Sequence, residues 1–275
     1  MEPLPDPVGE AKRIIKVAEE RKVVLRLFGG VSFYFRCPSA KHRSLQRNYV
    51  DIDFMGLAKQ SKEIKRLFEE LGYRPRDVFN AMQGGRRLIF NDMAHNRRVD
   101  VFLDVFEMCH KFDFRGRLKV DELTIPLADM LATKLQIVEI NEKDLKDVIS
   151  LLVDYDVGKG DDGMINGAYL GGLCGDDWGI NRTFSLNLEK VLATLAERDL
   201  DDVQKELVRT RVEHLRKMID ESPKSLRWKM RARVGDKVKW YELPEVDKEV
   251  IDSSLTSSGS VRRDAPASGK EDEER

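Results

Sequence analysis

Between Gly29 and Asp104 the chain carries residue types suited to a phosphorylated ligand. Gly29-Gly30-Val31-Ser32 follows an apolar run, Asp51-Ile52-Asp53 interrupts a second, and Asp100 and Asp104 lie in a third. Glycines between a strand and a helix let backbone amides approach a phosphate with no side chain between, and the Ser32 hydroxyl adds a donor. Side chains of a strand alternate faces, so Asp51 and Asp53 share one side, roughly 6–7 Å apart along the chain. Unpaired carboxylates in an apolar run are costly, and a divalent cation between them removes that cost. Asp100 brings a third acid if its strand lies beside the first. Asp104 is four residues on and shares the face of Asp100, so the third position stays open between them. Asp100 is favoured because it sits inside Val99-Asp100-Val101-Phe102. Arg47, four residues before Asp51, falls on the same face and either neutralises phosphate or braces the acids.

These residues need a sheet to hold them. Val23 to Phe28, Tyr49 to Met55, Arg87 to Phe90 and Val99 to Phe106 read as strands, and Arg117 to Ile125 as an edge strand. Helices are expected over Glu10 to Lys22, over Val31 to Phe35 and from Ser61 to a stop at Gly72, where Ile64, Leu67, Phe68 and Leu71 form an inward stripe. Arg36, Lys41, His42 and Arg43 fall in a basic loop, solvated or guiding an anionic substrate. After Pro126 the pattern turns helical: Leu127 to Glu139, Glu142 to Asp154, Leu186 to Ala196 and Asp201 to Asp220. Gly158 to Gly179 holds eight glycines and reads as loop. If two of the later helices face the acids, Lys134 can touch a phosphate and Asp144 can orient that lysine or the attacking hydroxyl.

Whole-chain properties limit the alternatives. The 48 basic and 49 acidic side chains of the 275 residues nearly cancel, so no global field draws the protein to nucleic acid or membrane. Cys37, Cys109 and Cys174 are odd in number and widely spaced, which suits a reducing compartment rather than a disulfide framework. No apolar stretch approaches the roughly twenty residues of a membrane span, and none has the character of a signal peptide, so a cytoplasmic location is expected. The chain lacks a Gly-x-x-x-x-Gly-Lys-Ser/Thr loop, a zinc-type histidine pattern and a Gly-x-Ser-x-Gly elbow. From Lys224 to Trp240 basic and apolar residues alternate, the pattern of a hairpin with one charged face that either grips a nucleic-acid backbone or lies in water. From Ser253 the composition is that of a disordered tail.

Taken together, Gly29-Gly30-x-Ser32, Arg47-x-x-x-Asp51-Ile-Asp53 and Val99-Asp100-Val101 resemble the nucleotidyltransferase superfamily that includes DNA polymerase beta. Lys134 with Lys143-Asp144-x-x-Asp147 resembles its AbiEii-like toxin branch, and the resemblance covers about residues 20 to 155. It implies a mixed, minimal nucleotidyltransferase sheet flanked by helices over 1–125, then an α-helical C-terminal domain over 126–252. The implied chemistry is transfer of a nucleoside monophosphate from a nucleoside triphosphate to an acceptor hydroxyl, dependent on magnesium or manganese. In that reading Asp51, Asp53 and Asp100 hold the metal and Asp100 is the base. Gly29, Gly30, Ser32, Arg47, Lys134 and Asp144 hold the nucleotide. Expected partners are the triphosphate, an RNA, tRNA, protein or small-molecule acceptor, and an antitoxin-like protein, with no membrane. The alternative is a nucleotide- or RNA-binding protein of this fold that has lost turnover. Two departures matter: about twenty residues separate the glycines from Asp51, longer than many members allow, and the basic segment has no counterpart.

Overall fold

Apolar residues two apart decide which side of the sheet meets which layer of helices. The first helix, α1 (Pro7–Glu20), leads into β1 (Leu25–Phe28), which runs directly into α2 (Gly29–Arg36). The chain continues through β2 (Ile52–Gly56), α3 (Ser61–Glu70), β3 (Arg74–Pro75), α4 (Asp77–Gln83), β4 (Arg87–Asp92) and β5 (Arg97–Leu103). The sheet order is β1-β2-β5-β4-β3, with β2 and β5 parallel and the other neighbours antiparallel. Leu25, Leu27, Ile52, Phe54, Val99 and Val101 point to one face and pack with Ile14 of α1 and Ile64, Leu67 and Phe68 of α3. Alternation then obliges Asp53 and Met55 of β2, and Asp100 and Phe102 of β5, to the opposite face.

That opposite face is covered by the rest of the chain. A small hairpin, β6 (Val105–Glu107) and β7 (Lys111–Asp113), precedes α5 (Leu127–Leu135) and α6 (Glu142–Asp154). Then come the short parallel pair β8 (Val157–Gly158) and β9 (Ile165–Asn166), followed by α7 (Gly167–Asp176), α8 (Trp178–Leu195), α9 (Asp202–Glu221) and α10 (Leu226–Val234). The structure, a computed structural model, describes residues 2–243, and those up to Glu242 belong to one compact unit. Phe28, Phe33 and Met55 share a core with Met130, Leu131, Leu151 and Phe184, so the passage from sheet to helices near Pro126 is not a gap in packing. The tail expected from 253 lies outside the described residues. Among the described residues no helix is long and apolar enough to cross a membrane.

Three expected elements take other forms. Within the glycine-rich stretch, residues 159–164 are loop as expected, but Gly167–Asp176 form α7, because Gly167, Gly171 and Gly175 recur one turn apart on one face. A Cβ there would stand 2.6 Å from Met218 Sδ, 2.1 Å from Ser222 Oγ and 2.3 Å from the Pro223 carbonyl oxygen. The glycines are the condition for close packing against α9 and its exit, not a sign of loop. The expected basic hairpin over 226–241 is instead α10 and a turn of 3₁₀ helix at Gly235–Lys237. Ser225 Oγ accepts the Trp228 amide at 3.1 Å and Gly235 ends the helix at φ +59°, and these caps outweigh the two-residue alternation. The edge strand over 117–125 shrinks to a 3₁₀ turn at Arg117–Lys119 and a single parallel bridge from Thr124 to Leu27.

Candidate active site

The passage from β1 to α2 places two glycines where two charged side chains close in. Gly29 adopts φ +61°, and a Cβ on it would lie 2.2 Å from Asp53 Oδ2. A Cβ on Gly30 would lie 1.7 Å from Arg47 Nη2. The first amides of α2 have no partner within the helix, so the bend presents donors beside the carboxylate. Ser32 is buried, and its hydroxyl donates to the Gly29 carbonyl at 2.6 Å. It braces the bend from inside. Gly29→Ala is expected to cost about 1–2 kcal/mol for the left-handed backbone alone and to push Asp53 aside. Chemical denaturation reads the first effect and triphosphate binding the second.

The parallel register sets Asp53 directly opposite Asp100, and Asp51, exposed one residue before β2 begins, is near enough for its charge to act on Asp53. Adjacent strands lie about 4.8 Å apart, so the acids crowd one another. Asp53 is half-buried and has no hydrogen bond or ion pair among the described residues. Burial, with the charges of Asp100 and Asp51, pushes its carboxyl up to about 7, against a pull from Lys134 and Arg98. Asp51 is shifted upward too, mainly by burial. Asp100 is only 2% exposed. Its Oδ1 accepts from Arg87 Nε at 2.9 Å and its Oδ2 from Arg98 Nε at 2.7 Å.

Asp104 falls elsewhere. It lies past the end of β5 at φ +60°, its Oδ1 accepts the Ala58 amide at 3.0 Å, and its carbonyl accepts the Phe114 amide. It ties a loop together, which leaves Asp100 as the acid beside Asp53. Asp104→Ala should destabilise by about 1–3 kcal/mol through the orphaned amide. Asp104→Asn, which tolerates the same backbone and still accepts, should not. Neither should alter turnover per folded molecule, which separates Asp104 from Asp100.

On the helical side Lys134 of α5 points between two acids of α6. Its Nζ lies 2.6 Å from Asp144 Oδ1 and 3.0 Å from Asp147 Oδ2. Arg47 Nε stands 3.1 Å from Asp147 Oδ1, so Asp147 links the lysine to the arginine that covers Gly30. Burial works against the Lys134 charge, but Asp147 and Asp144 more than offset it and hold the ammonium above its ordinary range. Burial raises Asp147, partly countered by Lys134 and Arg47.

The structure thus brings Asp51, Asp53 and Asp100 together with Gly29 and Gly30, and joins Arg47, Lys134 and Asp144 through Asp147. Sequence reasoning gave no role to Asp147, Arg87 or Arg98. Arg98 was within reach, since it precedes Asp100 by two residues on one strand. Arg87 comes from β4 and depended on a register no motif encodes.

The carboxylates suit a hard divalent cation in their chemistry. Asp51 and Asp53, the latter without a partner among the described residues, fit it as donors, while both oxygens of Asp100 are engaged by arginines. Among the described residues no group of three acidic, histidine or cysteine side chains is placed so that it could hold a metal ion, the expected trio of Asp51, Asp53 and Asp100 included.

No protein-family model matches the chain, and no curated protein does. Among solved structures it is similar to the lincosamide antibiotic adenylyltransferase LnuA in its lincomycin-bound form. That match has 18% identity and a TM-score of 0.38 and covers 52% of this chain and 94% of that one. It is also similar to the antibiotic-resistance factor ANT(2'')-Ia, at 14% identity and a TM-score of 0.35 over 76% of this chain and 95% of that one. Overlaps this loose do not assign a fold family.

Proposed function

We propose that the chain is a divalent-metal-dependent nucleotidyltransferase that moves a nucleoside monophosphate from a triphosphate to an acceptor hydroxyl. The observation that carries this reading is Asp53 lying against Gly29 and in register with Asp100. Residues 1–125 carry the catalytic carboxylates and 126–252 the helices that complete the site. The α2 amides, Arg47 and Lys134 hold the triphosphate. Asp51 and Asp53 would hold magnesium or manganese, joined by Asp100, and the ion would supply charge neutralisation and a more acidic acceptor hydroxyl. The acceptor oxygen bonds to the α-phosphorus while the bond to the bridging oxygen of the β-phosphate breaks. Pyrophosphate leaves, and the hydroxyl proton passes to Asp100. Arg98 must loosen its hold on Asp100 for that transfer.

The acceptor class is an RNA or tRNA end, a protein hydroxyl or a small molecule, and an antitoxin-like protein is a candidate partner. A cytoplasmic location agrees with Cys37, Cys109 and Cys174 being free and buried. One observation favours a second reading, a nucleotide- or RNA-binding protein without turnover: both Asp100 oxygens are tied up by Arg87 and Arg98.

A thermal-shift screen of the four common nucleoside triphosphates in magnesium tests the proposal. A triphosphate at a hundred times its dissociation constant should stabilise the protein by about 2.7 kcal/mol, and Asp51→Asn should reduce that gain. If no triphosphate stabilises the wild-type protein, the transferase reading and the nucleotide-binding form of the second both fail.

A further inference from the structure

A cavity of about 410 Å³ opens beside the glycine bend, lined among others by Tyr34, Lys41, Gln46, Arg47, Asn48 and Tyr49. Its volume falls within the range of small-molecule sites. The stretch between the glycines and Asp51 builds most of it, the same stretch whose length departs from the resembled family. Tyr34 follows Gly30 by four residues, one turn along α2 and on the same face. Arg47 covers Gly30 and also stands 5.1 Å from the Tyr49 ring centre, so a single guanidinium borders both the bend and the cavity. The Tyr34 and Tyr49 rings meet edge to face, 5.7 Å apart.

Of the basic side chains in this stretch, most are already committed. Arg36 pairs with Asp121 and donates to Thr124 Oγ1, Arg43 pairs with Asp199, and His42 Nδ1 accepts the Ser44 amide. Lys41 differs: its Nζ lies 4.7 Å over the Tyr34 ring, and no carboxylate among the described residues pairs with it. The acid in the lining, Asp6, accepts the Gly9 amide as the cap of α1. Two aromatic rings, the Lys41 ammonium, the Arg47 guanidinium that is shared with Asp147, and Gln46 and Asn48 therefore line one space. That combination suits a planar heterocycle carrying a phosphate: rings and guanidinium for the base, cations for the anion, amides for the base edge.

We propose that this cavity is a nucleoside-phosphate subsite, entered from the side of Arg47 opposite the glycine bend. It rests on the nucleotidyl-transfer reading for the kind of ligand. The occupant is the base end of the donor triphosphate or the terminal nucleotide of an RNA acceptor, and the chemistry recognised is the same.

The test is calorimetric titration of the full chain with AMP, GMP, CMP and UMP in a chelator, with ribose 5-phosphate as the baseless control. At least one nucleotide should bind about tenfold more tightly than ribose 5-phosphate. Tyr34→Ala and Tyr49→Ala should erase that margin, and Tyr34→Phe should keep it. Lys41→Glu, at an exposed position, should weaken the nucleotide and ribose 5-phosphate alike by about tenfold while leaving Tm unchanged. Displacement of the monophosphate by a triphosphate assigns the subsite to the donor; displacement only by an oligonucleotide with a free 3′-hydroxyl assigns it to the acceptor. Either result supports the subsite. If nucleotides bind the wild type, Lys41→Glu and the tyrosine variants equally, the subsite is overturned and the proposed function stands. If the wild type binds neither monophosphates nor triphosphates, the proposed function falls with it.

Discussion

Asp53→Asn is expected to abolish transfer, by about a thousandfold or more, and at the same time to make the folded protein more stable at pH 8. The two effects share a cause. Asp53 is half-buried beside Asp100 and Asp51 with no hydrogen bond or ion pair among the described residues, and its carboxyl is pushed up from the ordinary 3.8 to about 7. The folded state therefore binds a proton more tightly than the unfolded chain does. The Asp53 contribution to stability is most favourable where both states are protonated, falls as pH rises from about 4 to about 7, and carries the full penalty above that. Asparagine has the shape of the protonated acid and does not titrate. In chelator, the variant should match the wild type near pH 4 and gain over it through that window. Above pH 7 the gain should be about 1–2 kcal/mol, which for a chain of this size is a Tm rise of about 2–8 °C. Calorimetric scans at pH 4, 6 and 8 check this. A variant less stable than wild type at pH 8 would mean that Asp53 has a structural partner instead.

Lys134→Met should have the largest destabilising effect in the helical half. Lys134 sits between Asp144 and Asp147, which are 8% and 2% exposed. Removing the ammonium leaves two buried carboxylates facing each other, with Arg47 neutralising only Asp147. Breaking a buried pair in this way costs about 3–5 kcal/mol, readable in urea unfolding. Adding Asp144→Asn removes one of the stranded charges and should recover part of the loss, a coupling of about 0.5–3 kcal/mol. Triphosphate binding should not return with it, because the lysine is still missing. That split distinguishes a lysine that holds ligand from one that only holds two helices together.

What could be read before folding was the local chemistry. Asp51 and Asp53 share a side because of strand alternation, and a glycine pair after an apolar strand marks a bend whatever else surrounds it. The choice of Asp100 over Asp104 depended on where β5 ends, and the backbone turns left-handed at Asp104 itself. The two arginines that grip Asp100 differ in how far the sequence announces them. Arg98 shares a strand face with Asp100 two residues on, whereas Arg87 is brought in by cross-strand pairing. In α7 and α10 the local signals competed. Glycines that usually break helices serve a tight contact with α9, and a two-residue alternation of charge was overruled by a serine cap and a glycine stop. The bond from the Ser32 hydroxyl to the Gly29 carbonyl is a local brace that the Gly-Gly-x-Ser pattern did not announce.

The most direct measurement follows an α-labelled nucleoside triphosphate, in magnesium, into separate pools of RNA, protein and small hydroxyl compounds, with wild type and Asp53→Asn side by side. The expected result is label on one acceptor class, with one pyrophosphate released for each label and no transfer by the variant. Labelling that persists undiminished in Asp53→Asn, or release of the γ-phosphate alone, would contradict the role given to the acids beside Gly29.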